Sequence, residues 1–263
     1  MYSRQTTTSK QMDLQVVIRD NQLSQELKDK MWEVYQPYYS YTKEYFMDRV
    51  AKNNYYSFYM NGDQVVGFTG LRINEFNING ENYFTIYFGQ TVIKSEYRGS
   101  SLIQKTGIKL SIKFFHKLVS CKSFFWADAL TFRSYLVFAK TLEQYYPSFR
   151  EEMPEEVKQL RNYIGQTHYP ETFCAKTGTV IKTENVVTDT SAKIDEKHLA
   201  DPDIAFFTQT NKNHAEGHGL ITMGPINTTN LIRIAVKIVK RSVCSLTKSA
   251  KIRTLFPENP QAA

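Results

Sequence analysis

Two Asn-Gly pairs set the first constraint on this chain. Asn61-Gly62-Asp63 and Asn79-Gly80 stand between runs rich in aromatic and branched residues, at 55–60, 64–73 and 83–93. Asn and Gly accept the positive φ of a tight hairpin, so the flanking runs are expected to be neighbouring antiparallel strands. Ahead of this meander, residues 14–18 read as a short strand. Ser24 and Thr42 stand where helix N-caps belong. Leu27, Met31, Val34 and Tyr35 recur at helical spacing behind Ser24, and a second helix reaches Val50. The order is therefore strand, two helices, three antiparallel strands, behind a polar lead over 1–11.

The pattern then changes. A glycine turn follows the third strand, and Leu102, Ile103, Ile108, Ile112, Phe115 and Leu118 fall on one helical face. The apolar run 123–130 predicts a strand, and 133–146 predicts a helix stopped by Pro147. Strand, crossover helix and strand pack most simply with the two strands parallel. Farther on, a helix is expected at 154–163, a strand at 179–188 and a polar loop over 182–203. Short strands are expected at 204–208 and 219–223, then a long helix over 227–253.

A strand that ends in a glycine turn and opens a helix is an anion site in outline. The first helical N–H groups are unpaired, and the helix dipole favours negative charge there. Here the turn is Glu96-Tyr97-Arg98-Gly99-Ser100-Ser101. Arg98 adds a charged donor, and Gly99 permits a backbone shape closed to other residues. Taken locally, the same residues also describe an ordinary strand-to-helix turn with a surface arginine.

The segment from Val92 and Ile93 through Ser101 and Ile103, in this order of elements, resembles the pyrophosphate-binding motif of the GNAT superfamily of N-acyltransferases. The resemblance covers roughly 12–150. It implies a mixed, mostly antiparallel twisted α/β sheet flanked by helices. It also implies a donor thioester, acyl-CoA or an acyl carrier protein, held by Val92, Ile93, Arg98, Gly99, Ser100 and Ser101. Ser101 replaces a glycine of the family pattern, and Ile103 a glycine or alanine. The acceptor implied is a small amine, an amino acid among the candidates. A non-catalytic module of this fold, binding a ligand, membrane or partner, is the alternative that Ser101, Ile103 and Phe138 favour.

Amine acylation needs a neutral amine, a polarised carbonyl and an acid for the departing sulfur. The resemblance places a tyrosine on the helix after the fifth strand as that acid. Phe138 occupies its position, and Tyr135, one turn earlier, is the substitute or else a packing residue. Gln90, polar within an apolar strand, is the candidate substrate contact, or else faces the solvent. Asp128 interrupts an apolar strand, where a carboxylate is costly unless paired or used. It is the candidate base, or else a cap of the next helix. The sequence from Asn213 to His218 carries two His and a Glu without a helix to fix their spacing, so no metal is expected.

Net charge is +7, and the seven Lys and Arg of 231–253 equal that total with no acid among them. Ile232, Val236, Val239, Val243 and Leu246 line up at helical spacing there. The stretch 226–263 is thus expected to be a basic amphipathic extension of a 12–225 domain. It either packs on that domain with a solvated basic face, or meets an anionic membrane surface or acidic carrier protein. Nothing resembling a nucleic-acid-binding motif occurs. Three dispersed cysteines and a polar N-terminus fit a cytoplasmic protein, with peripheral membrane contact as a variant.

Overall fold

The computed structural model describes residues 13–40, 42–182 and 193–255, with side chains through 244. The expected lead at 1–11, most of the strand expected at 179–188, much of the expected loop over 182–203, and the side chains of Leu246 and Lys248 lie outside the described residues.

The sheet has eight strands in the order β1-β2-β3-β4-β5-β8-β7-β6. β1 (Leu14–Asp20), β2 (Tyr55–Asn61), β3 (Gln64–Ile78) and β4 (Glu81–Ile93) form the expected meander. Gly62 and Gly80 take the positive φ of their turns, at 57° and 85°. β4 and β5 (Lys122–Ala129) are the single parallel pair among the described residues. β8 (His218–Pro225), β7 (Thr179–Ile181) and β6 (Phe173–Cys174) complete the far half with antiparallel pairing.

Side chains alternate between faces along each strand, and this sorts the helices into two layers. On one face, α1 (Gln25–Tyr35) and α2 (Lys43–Ala51) cover Tyr56, Phe58 and Phe68. On that face α6 (Glu155–His168) covers Tyr83, Tyr87, Phe124 and Trp126. The opposite face carries α3 (Leu102–Lys113), α5 (Phe132–Ala139) and α8 (Pro202–Thr210), packed on Phe84, Ile86, Phe125 and Ala127. α4 (Phe115–Ser120) follows α3 after a break at Phe114, and α7 (Glu196–Leu199) precedes α8. Ser24 and Thr42 cap α1 and α2 as expected, accepting from the backbone N–H groups of Leu27 and Tyr45.

Three elements depart from the sequence reading. Residues 204–208 are helix, because Asp201 caps α8 and Pro202 fills its first turn. α5 ends at Ala139, well before Pro147, because Asn230 accepts the N–H groups of Glu143 and Gln144 and holds the chain off the helical path. The last helix, α9 (Thr228–Leu255), is turned round from the expected orientation. Asn230 and Ile234 are buried and Ile238 packs against the core, while Ile232, Val236, Val239 and Val243 are exposed. α9 has apolar residues on two faces, and the face bearing Lys237 and Arg241 is the one turned to the domain.

Candidate active site

The β4–β5 ladder begins at Tyr83–Lys122 and ends at Tyr87–Trp126, yet β4 continues to Ile93. The two strands splay beyond that point. From Phe88 onward, the β5-facing edge of β4 has no strand partner among the described residues. A bulge deepens the opening: Gly70 pairs with Gly89 and Phe68 with Val92, so Gln90 and Thr91 bow out of the β3 ladder. Gln90 takes a left-handed φ of 45°, rare for a side chain of its size.

Three cavities meet at this splay. The first is a groove of ≈ 460 Å³ over the glycine turn, floored by Val92, Ile93 and residues 97–102. Gly99 and Ser101 have φ of 85° and 58°, so the turn bends left-handed twice before α3 begins. Ser101 holds the conformation that glycine adopts without strain. Arg98 donates from Nε to the Ile93 carbonyl at 3.0 Å and lies over the Tyr38 ring at 5.0 Å. Arg133 and Lys140 on the α5 side and Lys237 and Arg241 on α9 also line the groove, and among the described residues no carboxylate does. Lys237 Nζ donates to the Lys140 carbonyl at 2.5 Å and to Thr141 Oγ1 at 3.2 Å. Arg241 Nη1 donates to Ser101 Oγ at 3.4 Å. Burial pushes the Lys237 ammonium down, and Arg241, Lys140 and Arg233 push it further, to about 8.

The second cavity, of ≈ 140 Å³, is mostly apolar and runs through the splay between Phe88, Phe125, Ala127, Phe138 and Leu142. It shares Tyr39, Thr91, Ile103, Gln104, Ser134 and Val137 with the groove. Gly107 keeps it open on the α3 side, since a Cβ there would sit 3.6 Å from the Phe125 ring. The Tyr39 hydroxyl lies 3.5 Å from the Thr91 carbonyl oxygen.

The third cavity, of ≈ 300 Å³, opens on the α1–α2–α6 face and shares Arg49 and Gln90 with the second. Gln90 is 7% exposed. Its Oε1 accepts from Asn53 Nδ2 at 2.6 Å and lies 3.1 Å from the Tyr56 hydroxyl, while its Nε2 has no partner. Asp128, 8% exposed, lines the second cavity and bonds to Tyr87, Tyr169 and Lys182, which line the third. It accepts from the Tyr87 hydroxyl at 2.9 and 3.0 Å, and from the Tyr169 hydroxyl and the Lys182 ammonium at very short range. Arg72 covers the Tyr87 ring at 3.9 Å and donates to the Tyr169 hydroxyl at 3.2 Å. Burial pushes the Asp128 carboxyl up, but Lys182, Tyr169 and Arg72 outweigh that and leave it below its ordinary value. Burial pushes the Lys182 ammonium down, Asp128 partly restores it, and Arg49 and Arg72 add to the fall, leaving it at about 8. His168, stacked on Trp126 at 5.5 Å, is pushed down to about 4 by burial and by Arg72 and is neutral near pH 7.

The structure thus brings Gln90, Val92, Ile93, Asp128 and residues 98–101 to one continuous passage. Tyr135 is not there. It is fully buried, its hydroxyl donates to the Pro147 carbonyl at 3.0 Å, and its ring packs on Tyr145 and Phe207, so its role is packing. Phe138 lines the channel instead. Asp128 caps no helix; Thr131 caps α5. The sequence reading missed Tyr39, Arg49, Arg72, Lys182, Lys237 and Arg241. A cation on the apolar-facing side of α9 was the one signal available for the last two. Among the described residues, no group of His, Cys, Asp and Glu gathers to hold a metal, and no helix is long and apolar enough to cross a membrane.

No family model matches the sequence, and no curated protein does. Solved structures with partial similarity include a probable N-acyltransferase of Enterococcus faecalis V583, at 13% identity over 49% of this chain and 32% of that one, with a TM-score of 0.35. An aminoglycoside acetyltransferase from an uncultured soil metagenomic sample, in complex with sisomicin, aligns at 13% identity over 54% of this chain and 92% of its own, with a TM-score of 0.36. An Arabidopsis thaliana structure in complex with acetyl-CoA aligns at 12% identity over 43% and 76%, with a TM-score of 0.31.

Proposed function

We propose that the chain is an N-acyltransferase that moves an acyl group from acyl-CoA to a small amine. The observation that carries this reading is the passage itself. A cation-lined groove at a helix N-terminus leads through the splay of β4 and β5 to a pocket on the other face, backed by a buried Asp128–Lys182 pair. A donor with a polyanionic head and a thin arm fits the first two parts, and an acceptor fits the third.

In this reading the phosphates of the donor lie on residues 98–101 with Arg98, Arg133, Lys237 and Arg241 around them. Five cations, counting Lys140, suit the several phosphate charges of CoA better than the single phosphodiester of a carrier-protein arm. The arm runs along the unpaired edge of β4, where backbone N–H groups can polarise the thioester carbonyl. The neutral amine attacks that carbonyl from the third cavity. As the C–N bond forms, the amine nitrogen gives its proton to neutral Lys182, whose lowered proton affinity matches a base working near neutrality. Asp128 holds its proton too loosely to be that base. It positions Lys182, Tyr87 and Tyr169. The C–S bond then breaks, and the thiolate takes a proton from Tyr39, the phenol shared by groove and channel.

Titration calorimetry with CoA and acyl-CoAs, together with thiol release in the presence of an amine panel, tests the reading. Micromolar CoA binding that weakens in Arg98→Gln is expected. No heat with any CoA species would sink it.

A further inference from the structure

We propose that α3, α4 and α9 together form a surface that rests on an anionic lipid membrane. Large apolar side chains stand exposed on these helices: Ile112, Phe115 and Val119 on α3 and α4, and Ile232, Val236, Val239 and Val243 on α9. Each is between 43% and 73% exposed, so these are not core residues glimpsed at an edge. The two sets belong to one layer. α3 and α9 pack on each other, Arg241 reaches Ser101 at the start of α3, and Ile108, Phe114, Ile234 and Ile238 join one core beneath them. The exposed residues occupy the other side of the same helices and point away from that core. Apolar surface gathered in this way marks a place of interaction, whereas scattered single residues do not.

Charge decides what the surface meets. The sequence from 97 to 127 holds Arg98 and five lysines with no acid, and that from 228 to 255 holds seven Lys and Arg with none. Other elements engage some of these cations. Glu75 pairs with Lys117 at 2.8 Å, and Glu143 with Arg233 at 2.9 Å. Lys237 and Arg241 turn toward the groove. Lys109, Lys113 and Lys240 stand exposed. Lys109 donates to the Val16 carbonyl at 2.6 Å and Lys113 lies over the Tyr55 ring at 5.5 Å, contacts that leave both charges intact. Lys240 follows Val236 by one helical turn, at the border of the aliphatic stripe. Such a layer suits the headgroup plane: Ile, Val and Phe enter the acyl boundary while lysine stems carry their ammonium groups to lipid phosphates.

A second copy of the chain fits less well. In a two-fold pair the patch meets itself, which sets lysine against lysine. None of the seven apolar residues lines the groove, the channel or the third cavity. They present knobs, which a fluid lipid boundary accommodates, and not a socket for a protein's anchor residue. The inference stands apart from the acyltransferase reading, although α9 would then serve both: its inner side lines the groove and its outer side meets lipid.

The test is co-sedimentation of the full chain with vesicles of phosphatidylcholine and phosphatidylserine, against vesicles of phosphatidylcholine alone. Binding to the anionic vesicles should be tighter by about tenfold or more, and should weaken as salt rises. Lys240→Glu should weaken it by about fivefold or more. Val119→Ser combined with Val239→Ser should weaken it by about tenfold, because apolar insertion is lost while charge is kept. Both sites are exposed, and circular dichroism with a thermal melt checks the fold; Val243→Ser gives the same reading if the paired variant melts early. Leu199→Ser, at an exposed apolar residue on α7, should bind as the unchanged chain does. A basic protein adsorbed by charge alone would ignore the serine changes, so undiminished binding in those variants overturns the proposal. Equal binding to both vesicle types, or binding to neither, overturns it as well. A dimer in sedimentation analysis that the paired change dissociates, without vesicle binding, assigns the surface to a second copy instead.

Discussion

Lys237→Met should move stability and donor affinity in opposite directions. This ammonium is half-buried among Arg241, Lys140 and Arg233, and its affinity for a proton falls to about 8. A lysine whose folded value is depressed is destabilising wherever it is charged in both states. That penalty is full below about pH 8 and fades as pH rises toward the ordinary lysine range, because the unfolded chain binds the extra proton across that window. The full shift would exceed 3 kcal/mol at about 1.4 kcal/mol per pH unit. Half the side chain meets water, and Met also gives up the bonds to the Lys140 carbonyl and Thr141, so a net gain of about 1 kcal/mol is the expectation. For a chain of this length that is a rise of about 2–4 °C in Tm near pH 7. The same change removes one charged contact to a phosphate, about 1.5 kcal/mol, hence roughly tenfold in Kd for CoA. Differential scanning fluorimetry at pH 7 and pH 9.5, with calorimetric CoA titration, reads both quantities. The Tm gain should shrink at the higher pH. A fall in Tm with unchanged CoA affinity would show that Lys237 is a structural prop and that the groove is not the donor site.

Further outcomes are expected elsewhere in the site. Asp128→Asn leaves the buried Lys182 ammonium uncompensated and should cost about 3–5 kcal/mol, with much of the loss recovered when Lys182→Met is added; urea denaturation of the single and double variants measures this. Because the Asp128 carboxyl is held below its ordinary value, its contribution is complete above about pH 4 and is lost as pH falls below that; the acid limb of the Tm–pH curve should flatten in Asp128→Asn. Gly89→Ala drives a Cβ to 2.2 Å from the Tyr87 ring and hydroxyl, so it should cost about 1–3 kcal/mol and lower turnover by displacing Tyr87 from Asp128, as unfolding and initial rates would show. Tyr39→Phe should reduce kcat with little change in CoA affinity, whereas Tyr135→Phe should change stability and spare kcat.

The fold was legible where the chain obeys local rules. The Asn-Gly turns fixed three strands and their register sense, and Ser24 and Thr42 announced their helices. The glycine turn was legible too, down to Gly99. What failed had physical reasons. The helix expected through Tyr146 is cut short by Asn230, some ninety positions away in sequence, and no local pattern carries that. Tyr135 and Phe138 were judged by alignment alone, and only packing shows that one faces Pro147 and the other the channel. Asp128 was flagged by its cost in an apolar strand, but Arg72, which lies on β3, and Lys182, just past β7, account for that cost from elsewhere in the chain. On α9, two apolar stripes compete, and Ile234 with Ile238 wins over Ile232, Val236 and Val239 because only the former meets the space left by α3 and α5.

The placement of α9 has a consequence for how the molecule is made. The groove begins at Arg98 and is closed by Lys237 and Arg241, far later in the chain. A nascent chain could assemble the sheet, the bulge and the splayed strands while α9 is still inside the ribosome, and would then hold an open trough in place of a groove. The closed groove would therefore arrive late and all at once, with the docking of one helix. Chains released before that point would lack one wall of the groove.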